Sequence, residues 1–532
     1  MAHYRTITSK GRKYRQYVES VWNPEEKRSE TRVIEHLGPL IEKNGKEVLK
    51  PSPLKVDSID KVYPLGELAI YWKLAEEFKI HQAIKQQFGS EGDDIATGIL
   101  LLALNQLIGR KSLTKLNSWV VNTPLSRWLD IGEKQLTKDY FLSALDRFSQ
   151  DVNSVIYSHI NSIQDSLTKN WRKKIRYEPE KFLFFQDITR IKWNGNKNHY
   201  AEDGYGKQKG RYHIGFGLLV SKENYMPIMG YPVRGSHTDT TTIEETIDNL
   251  IKRNMKKITL VWDRGFVSER NIQLARDNKT HVLSAGVRSN NEVIDWISTY
   301  SDSEIEQSEN ILPLSKDKGF YYKGDIGNLY GEKCKIVVTL DPEKRNHSRI
   351  ERDLLLHELE SEKSRKKIAK LKNDLEPLVV SSRGRKGFKI DKEEEELLRK
   401  SDGRSLFFCT DTRMPAEEIV RTYFQKDYVE KAFRYLKQDA CLSPVRYQLP
   451  GRVEVYLSIV NFIAYELIAG TIWKLKKNKI EIGFESLIEE AKKIYEIELT
   501  SKGKKKYRWT HITKNVEKLV KPYRILDLKP TY

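Results

Sequence analysis

Hydrophobic and polar positions change rhythm several times along the chain. Tyr14, Gln16, Val18, Ser20 and Trp22 alternate with Arg15, Tyr17, Glu19 and Val21. A turn at Asn23-Pro24-Glu25-Glu26-Lys27 and a returning run at Thr31–Glu35 predict an N-terminal β-hairpin. Residues 51–60 read as a linker. From about Val62 to Lys174 the spacing becomes helical, as at Leu101, Leu104, Gln106, Leu107 and Ile108, then Leu113 to Val121 and Asp139 to Phe148.

Between Lys181 and Ala285 strands and helices alternate. Phe182-Leu183-Phe184-Phe185-Gln186-Asp187-Ile188-Thr189 is a strongly apolar strand with polar residues at its end. Tyr212 to Val220 and Tyr225 to Val233 predict two more strands, joined by the turn at 221–224. Thr241 to Lys252 has helix spacing. Ile258 to Trp262 is a strand running into Asp263, Ser268 can cap a helix to about Asp277, and His281-Val282-Leu283 is a further strand. Strands followed by helical crossovers imply an α/β layer with a partly parallel sheet. Residues 290–400 break this rhythm: Phe320–Tyr322 and Lys335–Thr339 look like strands, and Glu351 to Glu376 like one long charged helix. The α/β texture resumes at Ser405–Thr410, with a long helix expected from Ala416 to about Lys437 and an apolar one after Gly451.

At 532 residues the chain exceeds one ordinary hydrophobic core, which predicts about two to four domains. With 39% hydrophobic and 31% charged residues it is not a disordered polypeptide. Lys and Arg number 93 against 74 Asp and Glu, a net charge of +19, and the isoelectric point is near 9.3. Such a surplus favours polyanionic partners, nucleic acid before anionic membrane. Cys334, Cys409 and Cys441 lie far apart and lack a disulfide or zinc-ligand pattern. Met1 to Lys13 is basic and polar without an apolar segment, so no secretory signal is expected. Gly98–Gly109 is too short to span a bilayer, and Val455–Trp473 carries Asn461 and Glu466 in its middle. Both predict buried helices of a globular, cytoplasmic chain with no membrane partner.

Three acids stand out by position. Asp187 sits near the end of an apolar strand. Asp263 ends another, directly before Arg264-Gly265, at the carboxyl edge where α/β sheets place their chemistry. Glu430 lies in the run Tyr423-x2-Lys426-x3-Glu430-x6-Lys437, whose steps of 3, 4 and 7 put these side chains on one helix face. Each has a bland alternative: an acid ending a strand is often a loop residue or a helix cap, and a Glu among lysines is often a surface ion pair. Together, three carboxylates suit a hard divalent cation such as Mg²⁺ or Mn²⁺. Two such ions ~4 Å apart support phosphodiester displacement.

These residues carry a resemblance. Phe185-Gln186-Asp187-Ile188-Thr189, Val261-Trp262-Asp263-Arg264-Gly265-Phe266 and the 416–437 helix resemble those of DDE-type insertion-sequence transposases with an RNase H-like core. The helix resembles the YREK signature, Y-x2-R-x3-E-x6-K, with Lys426 in place of its arginine. Lysine lacks the planar bidentate fork of arginine, which alters the expected phosphate contact. Gly235-Ser236-His237-Thr238-Asp239 resembles the family's segment between its two aspartates. The likeness spans roughly residues 180–470.

The resemblance implies an α/β fold: an RNase H-like mixed sheet with flanking helices, interrupted by a mainly β insertion domain and preceded by an N-terminal hairpin and helical region. The corresponding segments are 1–60 (hairpin and linker), 61–175 (helical, a candidate DNA-end reader), 176–290 and 405–475 (core), 291–404 (insertion) and 476–532 (basic C-terminal region). The resemblance further implies catalysis and metal binding by Asp187, Asp263 and Glu430, with Mg²⁺ or Mn²⁺, in two ions, as cofactor. Tyr423, Lys426, Lys437 and Arg264 would contact DNA. The implied partners are double-stranded element ends and target DNA, held by a homodimer, and the implied reaction is end cleavage followed by 3′-hydroxyl transfer. Tyr321, Tyr322 and Trp262 are candidates to stack a flipped base. A nuclease that does not join ends, and a catalytically dead DNA-binding descendant, are the alternatives.

Overall fold

The computed structural model describes the chain except residues 1, 25, 44–45, 50–55, 149–154, 176–181, 196–197, 204–209, 238, 254, 256–257, 316–317, 383–387, 428–429, 431–432, 435–444, 446, 502 and 529–532. Lys437 and Cys441 fall outside the described residues. The chain divides into two compact units. The first comprises residues 1–63, 495–510 and 530–532, and the second comprises 64–494 and 511–529.

In the first unit, Ala2–Ser9, Arg12–Asn23, Arg28–Lys43 and Lys46–Leu49 form an antiparallel sheet in sequence order. A second sheet joins Ser58–Pro64 to the hairpin Tyr495–Ser501 and Lys504–Trp509. The basic run after Lys502 is thus an edge strand, with Lys505 paired to Glu498 at 2.5 Å. Tyr63 donates its hydroxyl to the buried Glu498 carboxylate at 2.5 Å. Local spacing at 476–532 does not reveal this long-range pairing with the N-terminal segment.

The second unit is built on a ten-stranded mixed sheet among the described residues. Its centre is Phe182–Lys192, Ile258–Val261 and His281–Ala285, all parallel. Tyr212–Ser221 runs antiparallel beside the first of these and carries Pro227–Arg234 and the short Glu202–Asp203. Beyond His281–Ala285 lie Arg404–Cys409, Glu332–Leu340, Lys318–Leu329 and Ile311–Ser315, all antiparallel. The central strands read as continuous apolar runs because both faces are covered. Phe184, Phe185, Leu218, Leu219, Leu260 and Val261 are all buried.

Three expectations are corrected. First, Asp187 is mid-strand, because Phe182–Lys192 keeps pairing with Tyr212–Ser221 as far as Lys192 opposite His213. Only its parallel neighbour stops earlier, at Val261. Second, residues 291–404 hold more helix than strand and extend the large sheet through Glu332–Leu340 and Arg404–Cys409, so a mainly β insertion is not what forms. Third, the charged helix expected at 351–376 is two helices, Pro342–Ser361 and Arg365–Asp374. Asp341 caps the first through the Lys344 N–H, and the chain breaks where the Glu362 carboxylate accepts the Lys363 and Ser364 N–H groups instead.

Helices of residues 66–175 form the amino-terminal part of this unit. Gly92–Leu104 continues into a π turn at Asn105–Gly109. The apolar helix Pro450–Lys477 is long and apolar enough to cross a membrane, but 94% of its apolar window is buried inside the protein. Cys334 and Cys409 are free and buried.

Candidate active site

The acid cluster arises from unequal strand lengths. Phe185 lies opposite Val261 in the parallel register, and Asp187 and Asp263 each stand two positions past that pair. Adjacent strands lie ~4.8 Å apart, so the register sets the two aspartates side by side beyond the end of the shorter strand. Alternation then turns Gln186 to the opposite face. There Gln186 is buried, donating to the Thr246 hydroxyl at 2.8 Å and the Tyr231 hydroxyl at 3.2 Å while accepting the Trp262 indole N–H at 2.9 Å. This network holds the strand from behind. Its only sequence signal is a lone amide between apolar residues.

Asp263 caps the turn Arg264–Phe266 by accepting the Arg264 N–H at 2.8 Å. Helix Ala416–Gln425 packs Ile419 and Val420 inward, and its Tyr423 and Phe424 rings lie 5.0 and 5.6 Å from Phe407. That packing aims Tyr423 and Lys426 at the aspartates. The Tyr423 hydroxyl donates to Asp263 Oδ1 at 3.3 Å. Lys426 Nζ lies 3.3 Å from Asp263 Oδ2 and 2.6 Å from Glu430 Oε1. The Glu430 N–H bonds the Lys426 carbonyl at 3.2 Å, one helical turn on. Asp187, Asp263, Glu430, Tyr423 and Lys426 thus meet in one place.

Burial pushes the Asp187 carboxyl up to about 6, with Glu430 and Asp263 adding to the rise and Lys426 and the Ile188 N–H opposing it. For Asp263, burial acts upward, but the Lys426 charge, the Arg264 N–H and the Tyr423 hydroxyl outweigh it and hold the group below its ordinary value. Burial and the Asp263 carboxylate push Tyr423 up to about 12. Burial would lower Lys426, yet Asp263, Glu430 and Asp187 together raise it above the usual ammonium value.

Arg264 is half-buried, and its Nε has no hydrogen-bond partner. Burial, and then the nearby Arg264 charge, hold Arg288 below the usual guanidinium value. Sequence reasoning missed Arg288, though it follows the Ala285 strand end much as Arg264 follows Val261. Trp262 is fully buried with its N–H engaged, which corrects its candidacy as a stacking platform. Tyr321 packs against the cluster of Ile305, Val338 and Leu340, while Tyr322 is half-buried on the opposite strand face. A cavity of about 580 Å³ lies elsewhere, lined by Trp72, Trp128, His81 and Asp93, and includes none of Asp187, Asp263 and Glu430.

A divalent cation suits the chemistry of three carboxylates, but the arrangement does not yet fit one. Among the described residues no three acidic, His or Cys side chains are grouped to hold an ion. The Lys426 ammonium stands between two of the acids instead.

The acids gather past Val261, at the carboxyl end of the short central parallel strand, where open α/β sheets form their binding crevices. Residues 183–467, more than half of the chain, match the model of the transposase DDE domain. The chain belongs to this family of DDE transposases. No curated protein matches the sequence. Among solved structures it is similar to a piggyBac transposase synaptic complex with hairpin DNA, determined by cryo-EM. That likeness has 9% identity and a TM-score of 0.39, over 81% of this chain and 79% of that one.

Proposed function

We propose that the protein is an insertion-sequence transposase that cuts DNA at the ends of its element and transfers the freed 3′-hydroxyls into target DNA. Asp187, Asp263 and Glu430 are the catalytic acids of an RNase H-like core in this reading, and Tyr423, Lys426, Glu430 and Lys437 make up its YREK signature. The observation that carries the proposal is the convergence of these acids from two parallel strands and one helix, within the region matching the transposase DDE domain.

Each side chain has a task in this reading. Asp263, held by the Arg264 N–H and the Tyr423 hydroxyl, has a defined rotamer before DNA arrives. Tyr423, Arg264 and Lys426, with Lys437, supply donors for the scissile phosphate and its neighbours, since charge-assisted bonds to phosphate are the strong ones. Mg²⁺, with Mn²⁺ as substitute and two ions in the active form, is the cofactor proposed, because carboxylates are hard-cation donors. Double-stranded element ends and target DNA, gathered by a homodimer, are the partners.

The test is a cleavage and joining assay on DNA carrying candidate element ends, with Mg²⁺, Mn²⁺ or chelator. Wild type is compared with Asp187→Asn, Asp263→Asn and Glu430→Gln. Metal-dependent nicking with joined products, lost in all three variants while DNA binding persists, is the expected result. Nicking without joining would identify a nuclease. Binding with no cleavage under either metal would identify an inactive DNA-binding descendant, and an active Glu430→Gln would remove the third acid.

A further inference from the structure

The Lys426 side chain is only 6% exposed, whereas those of Asp263 and Glu430 are about half exposed. Its ammonium makes ion pairs with both carboxylates, and Asp187 lies within its electrostatic reach. Burying an ammonium is costly unless it is paired, so this position is stable only because the acids surround it. A divalent cation bridging Asp263 and Glu430 would need the same oxygens and the same space. The two cations therefore compete for the Asp263 and Glu430 oxygens.

We propose that Lys426 is a built-in counter-ion that occupies the cation position between Asp263 and Glu430 in the DNA-free protein. It has to swing out before a divalent metal can bridge those acids. The inference rests on the triad assigned above. An ammonium on a four-carbon stem can make this move, where a planar guanidinium fixed by two bonds would resist it. A DNA phosphate gives the released ammonium an alternative partner. Metal loading is then coupled to DNA binding, and by linkage each ligand strengthens the other equally.

The experiment is calorimetric titration of Mn²⁺ into the full-length protein without DNA. Lys426→Met removes the competing charge at similar length and is expected to bind Mn²⁺ roughly tenfold or more tighter than wild type, because neither of the two ion pairs then has to be broken. Lys426→Arg keeps a cation there that is harder to displace and should bind Mn²⁺ no more tightly than wild type. Adding a short double-stranded oligonucleotide should tighten Mn²⁺ binding by wild type and leave Lys426→Met unchanged. Equal or weaker binding by Lys426→Met overturns the proposal.

Asp263→Asn separates this failure from that of the triad. If wild type and Lys426→Met bind equally and Asp263→Asn abolishes binding, the counter-ion role is wrong and the metal site stands. If neither binds Mn²⁺, both are wrong. Should Lys426→Met not fold, a wild-type crystal soaked in Mn²⁺ decides. Mn²⁺ between the carboxylates with Lys426 turned away supports the proposal, and Nζ still bridging both acids beside a bound ion refutes it.

Discussion

Replacing Glu466 should change how stability depends on pH. Glu466 lies on the apolar helix Phe462–Lys477, is fully buried, and neither carboxyl oxygen has a hydrogen-bond partner. Burial alone pushes it up from 4.5 to about 8. The folded state thus holds the proton more tightly than the unfolded chain. Its contribution to stability is complete below pH 4.5 and is lost as pH rises through about 8. Each tenfold change in proton affinity is worth ~1.4 kcal/mol, so the loss reaches about 5 kcal/mol above pH 8 and about 3 kcal/mol at pH 7. Glu466→Gln cannot ionise and should escape this slope. Its melting temperature should exceed that of wild type by an amount that grows from pH 5 to pH 9, of the order of 5 °C at the alkaline end. Glu466→Met, which also removes the unpaired polar atoms, should lie above both throughout. Scanning calorimetry at several pH values reads the difference. Melting curves of wild type and Glu466→Gln that run parallel from pH 5 to pH 9 would refute the reasoning.

Other outcomes follow from the geometry around the acids. Asp187→Asn removes a carboxylate whose charge is disfavoured by burial, so cleavage should fall about a hundredfold or more while the melting temperature holds or rises. Gln186→Leu strands the Trp262 indole N–H, while the Thr246 and Tyr231 hydroxyls keep their mutual bond at 2.6 Å, and should cost about 1–3 kcal/mol in urea unfolding, with a shift in tryptophan emission. Gly235→Ala would bring a Cβ to 1.9 Å from the His213 carbonyl oxygen and 2.8 Å from that of Glu202, and should destabilise by about 1–3 kcal/mol by the same measurement.

Much of the central architecture is readable from local pattern. The strands Tyr212–Ser221, Pro227–Arg234, His281–Ala285 and Arg404–Cys409 fall within a residue or two of the apolar runs that announce them. Ser268 does cap Glu269–Asp277, accepting the Asn271 N–H. Features set by distant partners are not readable in this way. The length of Phe182–Lys192 depends on Tyr212–Ser221, and the Tyr495–Trp509 hairpin is grouped with the N-terminal residues across most of the chain. Helical spacing put Tyr423, Lys426 and Glu430 on one face. Which way that face turns depends on Phe407, in another element. A lysine at that spacing looks like surface, and only the packed helix makes it a buried counter-ion.

Why the acids gather where they do follows from one mismatch. Ile258–Val261 is short and lies between the longer Phe182–Lys192 and His281–Ala285. Past Val261 the middle of the sheet therefore opens, and a residue well inside a neighbouring strand can face that opening. Asp187 does so while Gln186 anchors its strand from the other face. The cation on the packed helix offsets the cost of burying that carboxylate in the closed arrangement. In the proposed reading, the same offset makes Lys426 the group that an incoming metal has to displace. Folding stability and readiness for catalysis are thus set against each other at one side chain.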